Sequence, residues 1–246
     1  MLLTTTGQTP AFTVSPDRVD LWSVHRPGTA PPDRSDLDTA ETARADAFAR
    51  PADAALYVTA HVALRRILGR YTRQPPRQVR FVREPCPGCG AAHGRPALDP
   101  NPRSLHFSLS HSRDTALIGV AAVPVGVDVQ KPPRPETVRF CSHAMHPREQ
   151  HELAAIPEDE RGAQFGRIWT RKEAYLKGLG TGLRHAPAAD YVGAEGAHRV
   201  PGWTLIDIPC GPALTAAAAV RGPAPAVLEL RRLPAAWLGA DPPDER

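Results

Sequence analysis

Apolar residues at helical spacing mark two long stretches, one in each half of the chain. The first is Tyr57–Gly69 and the second is Ile168–Gly180. In the second, Phe165, Ile168 and Leu176 fall on one arc of a helix. Each stretch ends in a glycine, the residue that most readily takes the left-handed conformation after a last helical turn. The pattern predicts two helices that end at these glycines.

Two pairs of strand-like runs follow the predicted helices. His106–Leu109 precedes Thr115–Val123 in the first half, and Trp203–Ile206 precedes Pro212–Val220 in the second. The two later runs are rich in small apolar residues and align with each other without a gap. Two short strand-like runs with a polar segment between them predict a β-hairpin in each half.

Helix, glycine and hairpin therefore recur in the same order. This order predicts an α+β fold with two similar, duplicated lobes, each a helix packed on a small antiparallel sheet. Chance similarity between alanine-rich segments is the alternative. The linker is expected near Val123 and Pro124, which gives an N-terminal lobe over residues 1–124 and a C-terminal lobe over 125–246.

Composition narrows the class of protein. The chain has 246 residues, of which 41% are hydrophobic, enough for a substantial core. Its net charge of +4 suits an acidic partner or a phosphorylated ligand, but is too small to indicate nucleic-acid binding by itself. No stretch is long and apolar enough to cross a bilayer, and the N-terminus lacks the features of a signal peptide. We expect a soluble, cytoplasmic protein that binds neither membrane nor nucleic acid.

The first candidate for chemistry is the alternating segment Gly126–Gln130. On an extended strand, Val127 and Val129 face one side, while Asp128 and Gln130 share the other. A carboxylate and an amide oxygen on one strand face suit a hard cation such as Mg²⁺. A solvated aspartate at a strand edge is the alternative reading.

The second candidate lies inside the second predicted helix. Glu173 and Lys177 are four residues apart and are therefore neighbours on the helix surface, where such a pair is often only a weak surface bridge. Lys172 falls within the apolar arc, where an ammonium group without a partner is unfavourable. Its position predicts a buried anionic partner or a bound anion.

A third candidate is Phe107–Ser112, in which Ser110 and His111 can donate hydrogen bonds to a phosphate. Adjacent serine and histidine also raise the possibility of a serine hydrolase. That reading is disfavoured, because the chain lacks a Gly-x-Ser-x-Gly elbow and adjacent residues do not generally make the nucleophile–base contact.

Cysteines form the fourth candidate. Cys86 and Cys89 are followed by His93, which is half of a typical zinc site; Cys141 or another histidine would have to complete it. An ordinary tight loop is the alternative. Four cysteines in a chain of this length do not form a disulfide framework, so we expect Cys141 and Cys210 to be reduced.

Four segments, in order, resemble the phosphopantetheinyl transferases of the surfactin-synthetase-activator type, the two-lobed monomeric subgroup. They are Gly94–Pro96, Phe107–Ser112, Val125–Asp128 and Trp169–Lys177, and the last two resemble the specific family signature. Weaker similarity extends from about Leu37 to Leu233. The resemblance implies a magnesium-dependent monomeric enzyme that transfers 4'-phosphopantetheine from coenzyme A to a serine of an apo acyl or peptidyl carrier protein, releasing 3',5'-ADP.

The resemblance also implies roles for individual residues. Asp128 and Glu173 would bind Mg²⁺, with Gln130 in the position of a third ligand that is usually acidic. Glu149 or Glu173 would assist deprotonation of the incoming serine. The residues implied to contact coenzyme A are His111, Lys177, Arg95, Ser110, Lys172 and Arg44.

The sequence departs from the family pattern at two positions. Gln130 replaces a carboxylate, and Leu56 stands about where many members carry a coenzyme-binding arginine. Arg44, or else Arg50, Arg65 or Arg66, is expected to replace that arginine. These departures leave open a second reading, a non-catalytic relative that binds coenzyme A or carrier proteins. A third, a small zinc-containing nucleic-acid binder, is disfavoured because aromatic and basic residues are not clustered together.

Overall fold

The computed structural model describes residues 3–4, 12–26, 33–101, 104–193 and 200–239. Over these ranges the chain has a mixed α+β fold, and no helix within them is both long and apolar enough to span a membrane. The helices are α1 (Thr39–Asp46), α2 (Pro51–Thr72), α3 (Pro135–Cys141), α4 (Pro147–Ala154) and α5 (Glu158–Leu179). The strands are β1 (Leu3–Thr4), β2 (Arg18–His25), β3 (Phe81–Arg83), β4 (Pro96–Leu98), β5 (His106–Ser112), β6 (Thr115–Ala121), β7 (Val125–Gln130), β8 (Trp203–Asp207), β9 (Thr215–Arg221) and β10 (Val227–Arg232).

The chain divides into two compact units that exchange segments. The first contains Met1–Val82, Ala97–Ala122 and Pro225–Arg246, and the second contains Arg83–Pro96 and Val123–Ala224. The main crossing after Ala122 lies close to the expected linker, but a single division into 1–124 and 125–246 does not describe the fold. The last segment belongs to the first unit because β10 pairs with β2.

The first unit is built on a five-stranded sheet in the order β1-β10-β2-β6-β5. β6 pairs antiparallel with both β2 and β5, whereas β10 runs parallel to β2 and to β1. The long helix α2 supplies much of the core, with Val58, Ile67 and Leu68 fully buried together with Trp22 and Ile118 from the sheet.

The helix α2 continues past the glycine at which it was predicted to end. It runs to Thr72, and Arg73 takes the left-handed conformation instead of Gly69. A Cβ atom at Gly69 would lie 2.7 Å from the backbone oxygen of Gln74. Glycine is therefore needed at position 69 because the chain passes close to it after the helix, and not because the helix ends there. The prediction for Gly180 is confirmed, since this residue is the left-handed cap of α5.

The second unit has a three-stranded antiparallel sheet in the order β7-β9-β8, with α5 packed on it. Its core includes Phe165, Ile168, Leu176 and Trp203, and the small side chains of β9 such as Ala217 allow close packing. Both predicted hairpins are confirmed, because β5 pairs antiparallel with β6 and β8 with β9.

Candidate active site

A glycine fixes which face of β7 is turned toward α5. A Cβ atom at Gly126 would lie 1.9 Å from the backbone oxygen of Ala174 and 2.5 Å from the backbone nitrogen of Gly178, so the two backbones are in direct contact there. Because alternate residues of a strand share a face, Asp128 and Gln130 face α5 as well. The alternation predicted from sequence therefore brings these side chains to the signature helix.

Asp128 is the centre of this arrangement. Its side chain is almost fully buried, and its Oδ1 accepts a hydrogen bond from Lys177 Nζ at 2.6 Å. Its Oδ2 accepts one from Gln130 Nε2 at 2.8 Å. Lys177 also donates to the backbone oxygen of Val127, at 3.2 Å. The carboxylate of β7 is thus held between the amide of its own strand and an ammonium group of α5.

Glu173 lies one helical turn before Lys177 and is electrostatically coupled to the same site. Burial raises the pKa of the Glu173 carboxyl above its usual range, the negative charge of Asp128 raises it further, and Lys177 opposes this change. Two carboxylates that influence each other in this way lie in a shared environment. The structure therefore brings Asp128, Gln130, Glu173 and Lys177 together.

The donor set of this group fits a hard divalent cation. Asp128, Glu173 and the amide oxygen of Gln130 offer only oxygen atoms, the ligand type that Mg²⁺ prefers. Two neighbouring carboxylates with a single ammonium group leave a local excess of negative charge, which a cation would neutralise.

Lys172 has the buried anionic partner that its place in the apolar arc predicts. Its Nζ lies 2.9 Å from Glu149 Oε2, and both side chains are nearly inaccessible to solvent. It also donates to the backbone oxygens of Pro187 at 2.7 Å and Asp190 at 2.8 Å. Burial lowers the pKa of the Lys172 ammonium group, an effect that Glu149 opposes.

Glu149 is likewise fully occupied by the protein. Besides Lys172, its carboxylate accepts hydrogen bonds from the backbone N–H groups of His146 at 3.0 Å and Val192 at 2.8 Å. The ammonium group of Lys172 has three N–H donors and three protein acceptors. The pair therefore joins α4, α5 and the segment after α5. This structural role differs from the two roles predicted from sequence, a contact of Lys172 with coenzyme A and a contact of Glu149 with the incoming serine.

Sequence reasoning missed Asp190, which organises the segment after α5. Its Oδ2 accepts hydrogen bonds from Tyr175 at 3.0 Å and His185 at 2.6 Å, and its backbone oxygen accepts one from Lys172. Burial raises the pKa of the Tyr175 hydroxyl, and the hydrogen bond to the negatively charged Asp190 raises it further. No spacing rule in the sequence connects Asp190 to these side chains.

The predicted phosphate contacts Ser110 and His111 lie on β5 of the first unit. Ser110 is buried and His111 is exposed, as expected for successive residues that point to opposite faces of a sheet. Because the two side chains lie on opposite faces, this arrangement also argues against a serine–histidine nucleophile pair.

Arg95 belongs to the second unit and is anchored at the end of α5. Its guanidinium group forms an ion pair with Glu84 at 2.7 Å and donates to the backbone oxygen of Gly178 at 2.8 Å. Gly94–Pro96, the segment that carries the first element of the resemblance, is therefore attached to the helix that carries the last.

The arginines proposed to replace the family residue at Leu56 are used in different ways. Arg65 is buried between Glu41 and Asp38, and Arg66 bonds Asp36 and the backbone oxygen of Trp237. These contacts give both a structural role, in contrast to the coenzyme contact considered for them. Leu56 itself is buried in α2, whereas the side chains of Arg44 and Arg50 are exposed.

Comparison with known proteins places this site in a family. The sequence profile of the 4'-phosphopantetheinyl transferase superfamily matches residues 124–198, which include β7 and α5. HetI, a 4'-phosphopantetheinyl transferase of Nostoc sp., is 30% identical over 224 residues, 87% of this chain and 92% of HetI. The chain belongs to the 4'-phosphopantetheinyl transferase superfamily.

Other members of the superfamily match a shorter part of the chain. The Synechocystis sp. protein slr0495, named a "putative 4'-phosphopantetheinyl transferase", is 33% identical over 150 residues, 60% of this chain and 58% of the relative. Sfp of Bacillus subtilis is 25% identical over 136 residues, 55% of this chain and 57% of Sfp. In these two alignments the chain spans little more than half the length of the transferase it matches.

Proposed function

We propose that this protein transfers 4'-phosphopantetheine from coenzyme A to a serine of an apo acyl or peptidyl carrier protein and releases 3',5'-ADP. Membership of the superfamily supports the reaction, and so does the presence of its signature residues on β7 and α5. The observation that carries the proposal is the 2.6 Å hydrogen bond from Lys177 on α5 to Asp128 on β7, which joins the two signature segments although these residues are 49 positions apart in the chain.

The metal of this reaction is proposed to be Mg²⁺, held by Asp128 and Glu173. Gln130 is proposed as the third position, where its amide oxygen binds the ion or a water molecule on it. A bound Mg²⁺ would neutralise charge on the diphosphate of coenzyme A as the bond to the β-phosphorus breaks. Coupling between the two carboxylates supports this assignment, because ionising both without a cation is unfavourable.

Lys177 is proposed to act on the phosphate oxygens of coenzyme A. Its ammonium group donates a hydrogen bond to Asp128, and about a third of its side chain is exposed. An ammonium donor at this position would stabilise the negative charge that develops on the phosphate oxygens during transfer.

Glu173 is favoured over Glu149 as the carboxylate that assists deprotonation of the serine hydroxyl. Glu173 and Lys177 are neighbours on α5, so this carboxylate lies beside the group proposed to act on the phosphate. Glu149 is fully buried and bound by Lys172 and two backbone N–H groups. The serine oxygen attacks the β-phosphorus, its proton passes to the base, and 3',5'-ADP leaves with the electrons of the broken bond.

Contacts with the rest of coenzyme A are proposed for His111, Ser110 and Arg95, with Arg44 in place of the arginine missing at Leu56. His111 and Arg44 have exposed side chains, so a ligand can reach them. We further propose that the enzyme acts in the cytoplasm as a monomer. Light scattering of the purified protein and fractionation of cells that express it test these two points.

The two units are proposed to derive from an internal duplication. In support, β2-β6-β5 and β7-β9-β8 are both antiparallel with the later hairpin strand in the middle. A helix of 22 residues, α2 or α5, precedes the hairpin in each unit. Superposition of many homologous pairs of units, scored against unrelated α+β pairs, tests this proposal.

The transferase proposal is tested by mass spectrometry of carrier proteins. The purified chain is incubated with coenzyme A, Mg²⁺ and apo-carriers of both the acyl and the peptidyl class, and one phosphopantetheine per carrier is the expected gain. Glu173→Ala should abolish the gain, whereas Glu158→Ala, a matched change at an exposed position of the same helix, should retain it. No gain on any carrier, together with coenzyme A binding by calorimetry, would instead support the non-catalytic relative.

A further inference from the structure

The loop between β3 and β4 gathers three metal-ligand side chains outside the candidate active site. Ligand atoms of Cys86, Cys89 and His93 all lie within 4.8 Å of one another, and Cys89 Sγ is 3.0 Å from His93 Nε2. Among the described ranges of the chain, this is the one group of three or more histidine, cysteine or acidic residues with such spacing. The transferase proposal gives these residues no role.

The backbone of the loop holds the two cysteines in a tight turn. The backbone oxygen of Cys86 accepts hydrogen bonds from the N–H groups of Cys89 at 3.3 Å and Gly90 at 2.8 Å. Gly90 has a φ of +72°, a left-handed conformation that glycine adopts without strain. Both sulfur atoms are therefore brought to one side of the turn before any metal binds.

Further backbone contacts close the loop at its base. Gly94 N–H donates to the backbone oxygen of Glu84 at 2.9 Å, and Cys86 N–H donates to that of Ala91 at 2.8 Å. A Cβ atom at Gly94 would lie 2.4 Å from the Glu84 oxygen, so only glycine permits this closure. This closure brings His93, the residue before Gly94, close to the two cysteines.

We propose that Cys86, Cys89 and His93 bind one Zn²⁺ ion, with a water molecule in the fourth position. Two thiolate sulfurs and an imidazole nitrogen are ligands that Zn²⁺ prefers, whereas Mg²⁺ selects oxygen. Binding releases the two thiol protons, and the two thiolates then balance the charge of the ion.

The geometry requires only a small adjustment to accept the ion. In a tetrahedral zinc site, bond lengths of about 2.0–2.3 Å place ligand atoms roughly 3.5–3.8 Å apart. The three ligand atoms here already lie within 4.8 Å of one another. Cys86 is buried while Cys89 and His93 are exposed, so a metal ion and its water molecule can enter from solvent.

The zinc site has a structural consequence for Arg95. The loop ends in a backbone hydrogen bond from Glu84 N–H to the Arg95 oxygen at 2.9 Å, and the two side chains form an ion pair. Arg95 then donates to Gly178 at the end of α5. A metal that fixes the loop therefore fixes the residues that attach Arg95 to the signature helix.

The first test measures metal in the full-length protein purified without chelators. About one zinc per chain is expected, and replacement by Co²⁺ should give the sulfur-to-cobalt charge-transfer absorption of a thiolate site. Cys89→Ser and His93→Ala should lose the metal, while Cys141→Ser and Cys210→Ser, matched changes outside the cluster, should retain it. Absence of both zinc and the cobalt absorption in the wild-type protein would overturn the proposal, as would full metal content in Cys89→Ser.

A second measurement needs no variant and remains decisive if a substitution prevents folding. Alkylation of the reduced wild-type protein, mapped by peptide mass spectrometry, should modify Cys86 and Cys89 much faster after zinc is removed by a chelator. The rates at Cys141 and Cys210 should not change. A disulfide between Cys86 and Cys89 in the purified protein, or rates unaffected by the chelator, would refute zinc binding. Neither measurement uses transferase activity, so failure here leaves the proposed function unaffected.

Discussion

The ammonium group of Lys172 lies 2.9 Å from the carboxylate of Glu149, and both are buried in the second unit. Removal of one partner from such a pair leaves an uncompensated buried charge. We expect Lys172→Met to lower the free energy of unfolding by about 3–5 kcal/mol. Arg77→Met, at an exposed position, is the control and should change it by less than about 0.5 kcal/mol.

Removal of both charges tests the cause of that loss. In the double variant Lys172→Met with Glu149→Gln no buried charge remains, and the single amide oxygen can accept one of the two backbone hydrogen bonds that the glutamate accepts through Oε1 and Oε2. The double variant should therefore be more stable than Lys172→Met alone. Urea unfolding followed by tryptophan fluorescence measures both, and additive losses would show that the pair is not coupled.

Close contact between β7 and α5 gives a second prediction. Gly126→Ala would place a methyl group inside the backbone of α5, so the strand and the helix must separate. We expect a loss of about 3 kcal/mol or more in unfolding free energy and a loss of Mg²⁺ binding. Gly162→Ala is the matched control, because its Cβ atom meets nothing closer than 4.0 Å in a helix interior where alanine is favoured. It should gain about 0.5–1 kcal/mol.

The raised pKa of Glu173 predicts how the stability of the metal-free protein depends on pH. A carboxyl group with a raised pKa stabilises the folded state below its unfolded pKa, and this contribution is lost as the pH rises through the folded value. Glu173→Gln cannot ionise, so without metal it should unfold at a higher temperature than wild type at pH 8, by about 2 °C. The difference should shrink as the pH falls toward 5.

Magnesium should reverse the order of these two proteins. At pH 8 the ion is expected to raise the melting temperature of wild type and to leave Glu173→Gln unchanged, because the variant lacks one ligand. Thermal scans with and without Mg²⁺ provide the measurement, with Glu158→Gln as the control on the same helix. If Glu173→Gln is less stable than wild type in metal-free buffer at pH 8, the inferred repulsion between Asp128 and Glu173 is contradicted.

Gln130 provides the fourth prediction. Its Nε2 donates to Asp128, and Gln130→Glu replaces that hydrogen bond with repulsion between carboxylates. The variant should therefore be less stable without metal but should bind Mg²⁺ about tenfold more tightly, equivalent to roughly 1.4 kcal/mol. Gln164→Glu adds the same charge on α5, nine residues before Glu173, and should leave Mg²⁺ affinity unchanged. Isothermal titration calorimetry decides between the outcomes.

Local sequence patterns anticipated much of the second unit. The alternation around Asp128 and the helical spacing of Glu173 and Lys177 are properties of single elements, and the structure has both elements with these residues on facing sides. The sequence predicted that Lys172 has a buried anionic partner or binds an anion, but it did not identify which. Its identity as Glu149 depends on how α4 packs against α5, which no local period determines.

The strands of the first unit show where local patterns are insufficient. Neither β2 nor β10 has the strict alternation of a half-buried strand. Four consecutive residues, Val19–Trp22, are buried in β2, and Leu228 and Arg231 are buried in β10, so a search for period-two runs does not identify them. Their parallel pairing joins Arg18 to Val227, across most of the length of the chain. Such a pairing depends on long-range packing. The repeated order of helix and hairpin along the sequence gives no indication of it.

The position of β10 between β1 and β2 has a consequence for synthesis on the ribosome. Residues of β2, β5 and β6 emerge early, but the edge of β2 that receives β10 remains unpaired until residues 227–232 have left the exit tunnel. During that interval the segment 123–224 can already complete its own sheet. The nascent N-terminal half is therefore exposed to misassociation through an open strand edge until β10 pairs with β2.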